Sequence, residues 1–188
     1  MLMIYAGLLL WIAVHLFPSV APESKRSIVA RLGDNAYQGL FALLVFTGLL
    51  LIIFGWRSST PELLYAPYPW LRHLSMLLAA IGILLFVASS FPSRIKRLIR
   101  HPQLTGVFLW GTAHLLLNGD SRSVTVFGAL VVWSIISMLT INKREGPWVK
   151  TEATQGWWLE VAVIVVGLLV SALIVSFHQY LSGVSLIG

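Results

Sequence analysis

The 188-residue chain contains no cysteine, which excludes disulfides, thiolate metal ligands and a cysteine nucleophile. Charge is scarce as well. Lys, Arg, Asp and Glu make up 11% of the residues against 57% hydrophobic ones, where an average soluble domain has about 25% and about 45–50%. The scarcity of acids is the most restrictive. All seven (Glu23, Asp34, Glu62, Asp120, Glu145, Glu152, Glu160) fall in loops or at the ends of apolar runs, and no Lys or Arg lies deep in one. Ion pumps and proton-coupled transporters need an ionisable group inside the bundle, so that class is disfavoured. Buried carboxylate metal sites and acid–base pairs are absent for the same reason. Any buried chemistry rests on histidine.

What remains is apolar and periodic. Six runs, at about 2–20, 36–55, 71–91, 103–118, 123–141 and 158–181, approach the ~20 residues that a helix needs to cross a bilayer. The expected fold is all-α: a polytopic membrane bundle of six transmembrane helices, one domain over residues 1–188, with short loops and no soluble module. The first run has no basic region before it and no small-residue cleavage site after it, so it is expected to be a span rather than a signal peptide. The net charge of +6 would suggest nucleic acid in a soluble protein, but here it sits in alternate loops. Lys25, Arg26 and Arg31, then Arg94, Lys96, Arg97 and Arg100, then Lys143, Arg144 and Lys150 face one side; Arg57, Arg72 and Arg122 face the other. That asymmetry predicts a multi-pass protein of the inner membrane with both termini outside, and no nucleic-acid partner.

The loops add detail. Gly33-Asp34-Asn35 is a plausible cap for the second span. Tyr65, Tyr68 and Trp70 are expected at headgroup level, and Trp148, Trp157 and Trp158 at the inner end of the last span. Residues 94–100 place Ile95, Leu98 and Ile99 opposite Arg94, Lys96, Arg97 and Arg100, which predicts a short interfacial helix on the bilayer, against anionic lipid. Gly167 and Ser171 form a small-x3-small step able to seat a neighbouring helix.

Two stretches carry candidate chemistry. Gly7-Leu-Leu-Leu-Trp11-Ile-Ala-Val-His15 and Gly106-Val-Phe-Leu-Trp110-Gly-Thr-Ala-His114 both read Gly-x3-Trp-x3-His, which stacks the three residues on one helical face. An imidazole in hydrocarbon needs a partner, and glycine beside tryptophan leaves a slot for something flat. The bland alternative is a histidine satisfied by a nearby hydroxyl or backbone carbonyl. His15 and His114 are the deep pair. Their antiparallel spans offset the Cα atoms by roughly 12 Å at ~1.5 Å rise per residue, too far for one small metal ion, while side chains leaning toward the midplane permit a bis-histidine haem without demanding it. On depth alone His73 with His114, or His15 with His101, compete. His178 is expected at the outer interface, and His101 before Pro102 in a structural role. The repeated motif also hints at a three-plus-three inverted repeat.

Ala13-Val-His-Leu-Phe-Pro18, Gly33-Asp-Asn-Ala-Tyr-Gln-Gly-Leu-Phe-Ala42, Arg94-Ile-Lys-Arg-Leu-Ile-Arg-His-Pro102 and Leu109-Trp-Gly-Thr-Ala-His-Leu-Leu-Leu-Asn-Gly-Asp120 together resemble the NnrU family of bacterial membrane proteins. That resemblance implies a link to nitric oxide metabolism and denitrification. A more distant likeness is to the 15-cis-ζ-carotene isomerase, a membrane haem b enzyme, and it implies that His15 and His114 occupy haem-ligand positions; the slot read from the repeated motif would then put Gly7, Trp11, Gly106, Trp110 and Gly111 around the cofactor. The isomerase has a cysteine at the position of Gly111, so its redox-dependent ligand switch is not expected here. The resulting expectation is a haem b protein of redox, nitric oxide or isomerase-type chemistry. Its rival is a non-catalytic membrane subunit or assembly factor without cofactor.

Overall fold

The structure, a computed structural model, describes residues 1–150, 156–184 and 186; Glu152 lies outside them. The described residues form eight helices: α1 Leu2–Val20, α2 Pro22–Leu32, α3 Asp34–Ser58, α4 Leu71–Ala88, α5 Ile95–Leu98, α6 Pro102–Leu117, α7 Ser121–Glu145 and α8 Trp157–Ser182. Five of the six expected spans are helices long and apolar enough to cross a membrane, namely Leu2–Val20, Asp34–Ser58, Leu71–Ala88, Ser121–Glu145 and Trp157–Tyr180. The remaining one, α6, is also helical but has only 16 residues. At ~1.5 Å per residue it falls short of the ~30 Å hydrocarbon layer. Large apolar side chains stand exposed along these helices, among them Leu9, Leu43, Phe46, Leu77, Leu139 and Leu168. Such continuous apolar exposure is intolerable in water and is what lipid contact requires. The chain is an all-helical, multi-pass membrane protein.

The helices fall into two compact units: Met1–Pro67 with Asn118–Gly146, and Tyr68–Leu117 with Pro147–Gly188. The two units are not consecutive halves of the chain: α7 groups with α1 and α3, and α8 with α4 and α6. In the first unit the reason is visible in the backbone. The segment after α3 runs beside residues 119–121: Leu64 N–H donates to the Gly119 carbonyl (2.7 Å), Ser121 N–H to the Glu62 carbonyl (2.8 Å), and Leu63 and Asp120 form an isolated antiparallel bridge. The chain is thereby pinned to the start of α7.

Local chemistry sets the helix ends in this unit. Pro22 forces Ala21 out of helical geometry (φ −128°) and then opens α2 as its first residue. The expected cap before the second span is Gly33 itself. Its φ of +82° reverses the chain between α2 and α3, and Asp34 makes no capping bond. Helix α2 was not anticipated, since its charged sequence reads as a loop.

In the second unit α8 lies on α4. A Cβ on Gly167 would stand 2.7 Å from Leu84 Cδ1, so the small step does seat a neighbouring helix. Ala88, Leu159 and Val163 form the buried core there, with Leu84, Phe91 and Ile95 against it. The predicted interfacial helix shrinks to the single turn α5. Glu160 accepts from Arg94 N–H (2.8 Å), the Arg94 guanidinium covers the Trp157 ring at 4.3 Å, and Ile95 faces the core, so the segment is fastened to α8.

Candidate cofactor site

Each Gly-x3-Trp-x3-His helix meets an antiparallel partner through a pair of glycines. In the first unit a Cβ on Gly7 would stand 2.6 Å from the Gly48 carbonyl oxygen and 2.9 Å from the Ile52 nitrogen. A Cβ on Gly48 would meet the Gly7 oxygen at 3.1 Å and Trp11 Cβ at 3.2 Å. In the second unit a Cβ on Gly106 would stand 2.5 Å from the Gly82 oxygen and 3.1 Å from the Phe86 nitrogen. A Cβ on Gly82 would meet the Gly106 oxygen at 2.8 Å and Trp110 Cβ at 3.3 Å. The same atoms of corresponding residues recur in both units. Backbone against backbone leaves no room for a side chain at Gly7, Gly82 and Gly106, and at Gly48 the neighbour would have to give way.

One turn beyond each tryptophan the imidazole is held in the same way. His15 Nδ1 donates to the Trp11 carbonyl at 2.7 Å, and His114 Nδ1 donates to the Trp110 carbonyl at 2.8 Å. A carbonyl only accepts, so the proton sits on Nδ1 and the lone pair on Nε2. That tautomer, fixed through a backbone carbonyl, is what a metal-ligating histidine needs. The same bond also meets half of the bland alternative, because one nitrogen of each ring is satisfied by its own helix.

Around His15 the rings close in. Its centroid lies 3.8 Å from that of Trp11, 5.4 Å from Phe41 of α3 and 5.5 Å from Trp133 of α7. Trp133 is 8% exposed, and among the described residues its indole Nε1 and the hydroxyl of Ser137, one turn on, have no hydrogen-bond partner. In the second unit the Trp110 and His114 centroids are 4.5 Å apart, and Gly111 is buried on the same helix. Phe41 lies seven residues before Gly48; the corresponding place before Gly82 is Ser75, whose buried hydroxyl is also unpartnered among the described residues.

The other three histidines lie outside the two motifs. His73 is exposed near the start of α4. The His101 carbonyl accepts from Thr105 N–H and Oγ1, both at 2.9 Å, as Pro102 opens α6. His178 is half-buried and close enough to His114 to interact with it electrostatically, with Nδ1 against the Val184 carbonyl at 2.8 Å. Among the described residues no group of three or more His, Asp or Glu could hold a metal ion by itself.

A model of a protein family, described as NnrU protein, matches residues 3–186. The chain belongs to the NnrU family. No curated protein and no solved structure matches it. Within this NnrU chain the Asn118-Gly119-Asp120 stretch has a structural explanation. Any side chain on Gly119 would collide with the Tyr65 backbone. Asp120 caps α7, accepting from Arg122 N–H (3.0 Å), Ser123 N–H (3.2 Å) and Ser123 Oγ. Arg122 in turn donates to the Trp56 and Ser59 carbonyls and covers the Trp56 ring. Burial alone would raise the Asp120 pKa, but the Ser123 and Arg122 hydrogen bonds and the Arg122 charge outweigh it, and the carboxyl is held below its usual range. Tyr65 joins this knot, donating to the Asn118 carbonyl at 3.2 Å; burial, then the Asp120 charge, push its hydroxyl up.

Sequence reasoning missed Gly48, Gly82, Phe41 and Trp133. Only the glycines left a trace: Gly82 stands alone in α4, and Gly48 and Gly55 lie two turns apart in α3.

Proposed function

We propose that this NnrU-family protein is a haem b protein of the bacterial inner membrane, in which His15 and His114 would hold the haem, with both termini on the outer side. Its chemistry belongs to redox steps of nitric oxide metabolism or to isomerase-type conversions. The supporting observation is the twofold occurrence of one device, an imidazole whose Nδ1–H is fixed by the carbonyl of a tryptophan one turn earlier. Bound haem would supply one-electron chemistry at iron. The chain's own contribution is to orient Nε2, to stack Trp11 and Trp110 beside the imidazoles, and to keep the helix crossings at Gly7 and Gly106 narrow. Gly111 keeps the wall next to His114 small. Arg94, Lys96, Arg97 and Arg100 belong, in this reading, to the face toward anionic headgroups.

Absorption spectra of detergent-purified protein, oxidised and dithionite-reduced, test the proposal for wild type, His15→Ala and His114→Ala. The expected result is a Soret band with sharp reduced α and β bands, altered in both variants. A featureless visible spectrum in folded protein, even after haem-supplemented expression, overturns the proposal. The non-catalytic membrane subunit would then be the reading to pursue, through a partner that co-purifies.

A further inference from the structure

The first unit has a strongly asymmetric pair of ends. At one end Lys25, Arg26, Arg31, Lys143 and Arg144 face only Glu23, Asp34 and Glu145; at the other, Arg57 and Arg122 balance Glu62 and Asp120. At the basic end, where α1, α2 and α3 meet, lies an open cavity of about 420 Å³ lined by Pro18, Lys25, Tyr37, Gln38 and Phe41. That volume is within the ~300–1,000 Å³ range of small-molecule sites.

The lining is divided by polarity. Phe41 and Pro18 give it an apolar floor, and Lys25 and Gln38 give it a polar mouth. Pro18 is held by Arg144, whose guanidinium donates to the Pro18 carbonyl (3.3 Å) and to Ser19 Oγ (3.2 Å). Lys25 is half-buried, with Nζ 5.7 Å from the centre of the Tyr37 ring, and among the described residues it makes no ion pair; the nearby Glu23 is taken by Arg26. A half-buried ammonium without a carboxylate is a stable arrangement only where an anion or water completes it. On the same helix as Tyr37, Gln38 and Phe41, the apolar side chains of Leu40 and Leu43 stand exposed toward the membrane-spanning part of α3. Helix α2 itself buries no residue in the fold and carries four charges, three of them basic, as an interfacial helix does.

We infer that this cavity is a site for one anionic phospholipid, its phosphate at Lys25 and Gln38 and its glycerol and upper acyl carbons against Pro18, Tyr37 and Phe41. The match is one of charge and polarity in sequence: cation at the mouth, amide beside it, aromatic floor, then a lipid-facing apolar track. A zwitterionic lipid brings its own ammonium to the same place and loses the advantage.

The test is native mass spectrometry of the detergent-solubilised full chain titrated with phosphatidylglycerol or phosphatidylcholine. Lys25→Gln, Lys25→Arg, Gln38→Glu and Arg31→Gln are compared with wild type, each checked for native helicity by circular dichroism. Wild type is expected to retain one phosphatidylglycerol per chain and to discriminate against phosphatidylcholine. Lys25→Gln should weaken retention by about fivefold or more, the scale of one interfacial basic residue, and Lys25→Arg should restore it. Gln38→Glu, at an exposed position, tests the site independently and should also weaken it. The inference is overturned if Lys25→Gln retains the lipid as wild type does. It is equally overturned if Arg31→Gln loses as much, which would mean diffuse surface charge, or if oleate displaces the phospholipid, which would mean a carboxylate site.

Discussion

The two histidine-bearing helices are docked alike and furnished differently. Gly7 against Gly48 and Gly106 against Gly82 reproduce the same backbone contacts, and Trp11 and Trp110 lie over the partner glycine in both units. Seven residues away along the partner helix the likeness ends: the first unit offers Phe41 to its imidazole, and the second has a buried serine, Ser75, at that position. The glycines therefore carry helix docking and imidazole placement, while the neighbouring side chain is where the two environments are tuned apart.

The docking half of this comparison is broken most severely at the glycines. Gly7→Val and Gly106→Val each force a side chain into backbone oxygen at 2.6 and 2.5 Å, and neither carbonyl can rotate away. Each is expected to cost about 3 kcal/mol or more, at or above the upper end of overpacking penalties. Thermal denaturation in detergent measures it, with Gly39→Ala as the silent control because nothing lies within 4 Å of that position. If Gly106→Val is tolerated while Gly7→Val is not, the likeness of the two crossings is superficial.

The last helix of each unit gives a contrast of smaller size. α7 begins with a side-chain cap from Asp120, whereas α8 begins at Gly156 with none. Asp120→Ala is expected to cost about 1–2 kcal/mol, the upper part of the range for lost caps. The pH dependence follows from the sign of the shift. The folded carboxyl is held below its ordinary value, so its contribution is present above that ordinary value and disappears as pH falls through the folded one. Asp120→Asn should keep most of the cap and flatten that acid limb, and urea or thermal melts between pH 3 and pH 6 would show whether it does.

The helices were legible because apolar length and alternating basic loops are properties of the sequence alone, and five spans emerged within a few residues of their expected places. The sixth was legible as a helix, but α6 starts at Pro102 and stops before Asn118, too soon for a full crossing. Helix α2 was hidden by its charge, since periodicity in a short basic stretch is weak. The grouping of α7 with α1 and α3 was hidden for another reason: it depends on hydrogen bonds between residues 62–65 and 118–121, which are backbone contacts that side-chain pattern does not encode. In the candidate site Trp11 and His15 were legible through their spacing on one helix. Phe41 and Trp133 were not, because they approach the imidazole across helix interfaces, where sequence distance carries no signal.

The finest test of the comparison is Ser75→Ala against Phe41→Ala. Phe41 packs its ring edge-on to His15 from a half-buried position, so truncation removes about half of the ~3–5 kcal/mol that a fully buried Phe is worth. Ser75 is 3% exposed with a hydroxyl that meets no partner among the described residues. An unsatisfied buried hydroxyl is a net cost of about 1–3 kcal/mol, and the alanine leaves a void of only one atom. In cofactor-free protein Ser75→Ala is thus expected to leave the melting temperature unchanged or to raise it, by no more than about 1 kcal/mol in stability, and Phe41→Ala to lower it. A clear loss on Ser75→Ala would mean that the hydroxyl has a partner in the membrane-embedded protein, and that the second unit balances its polar site by a bond rather than tolerating a vacancy.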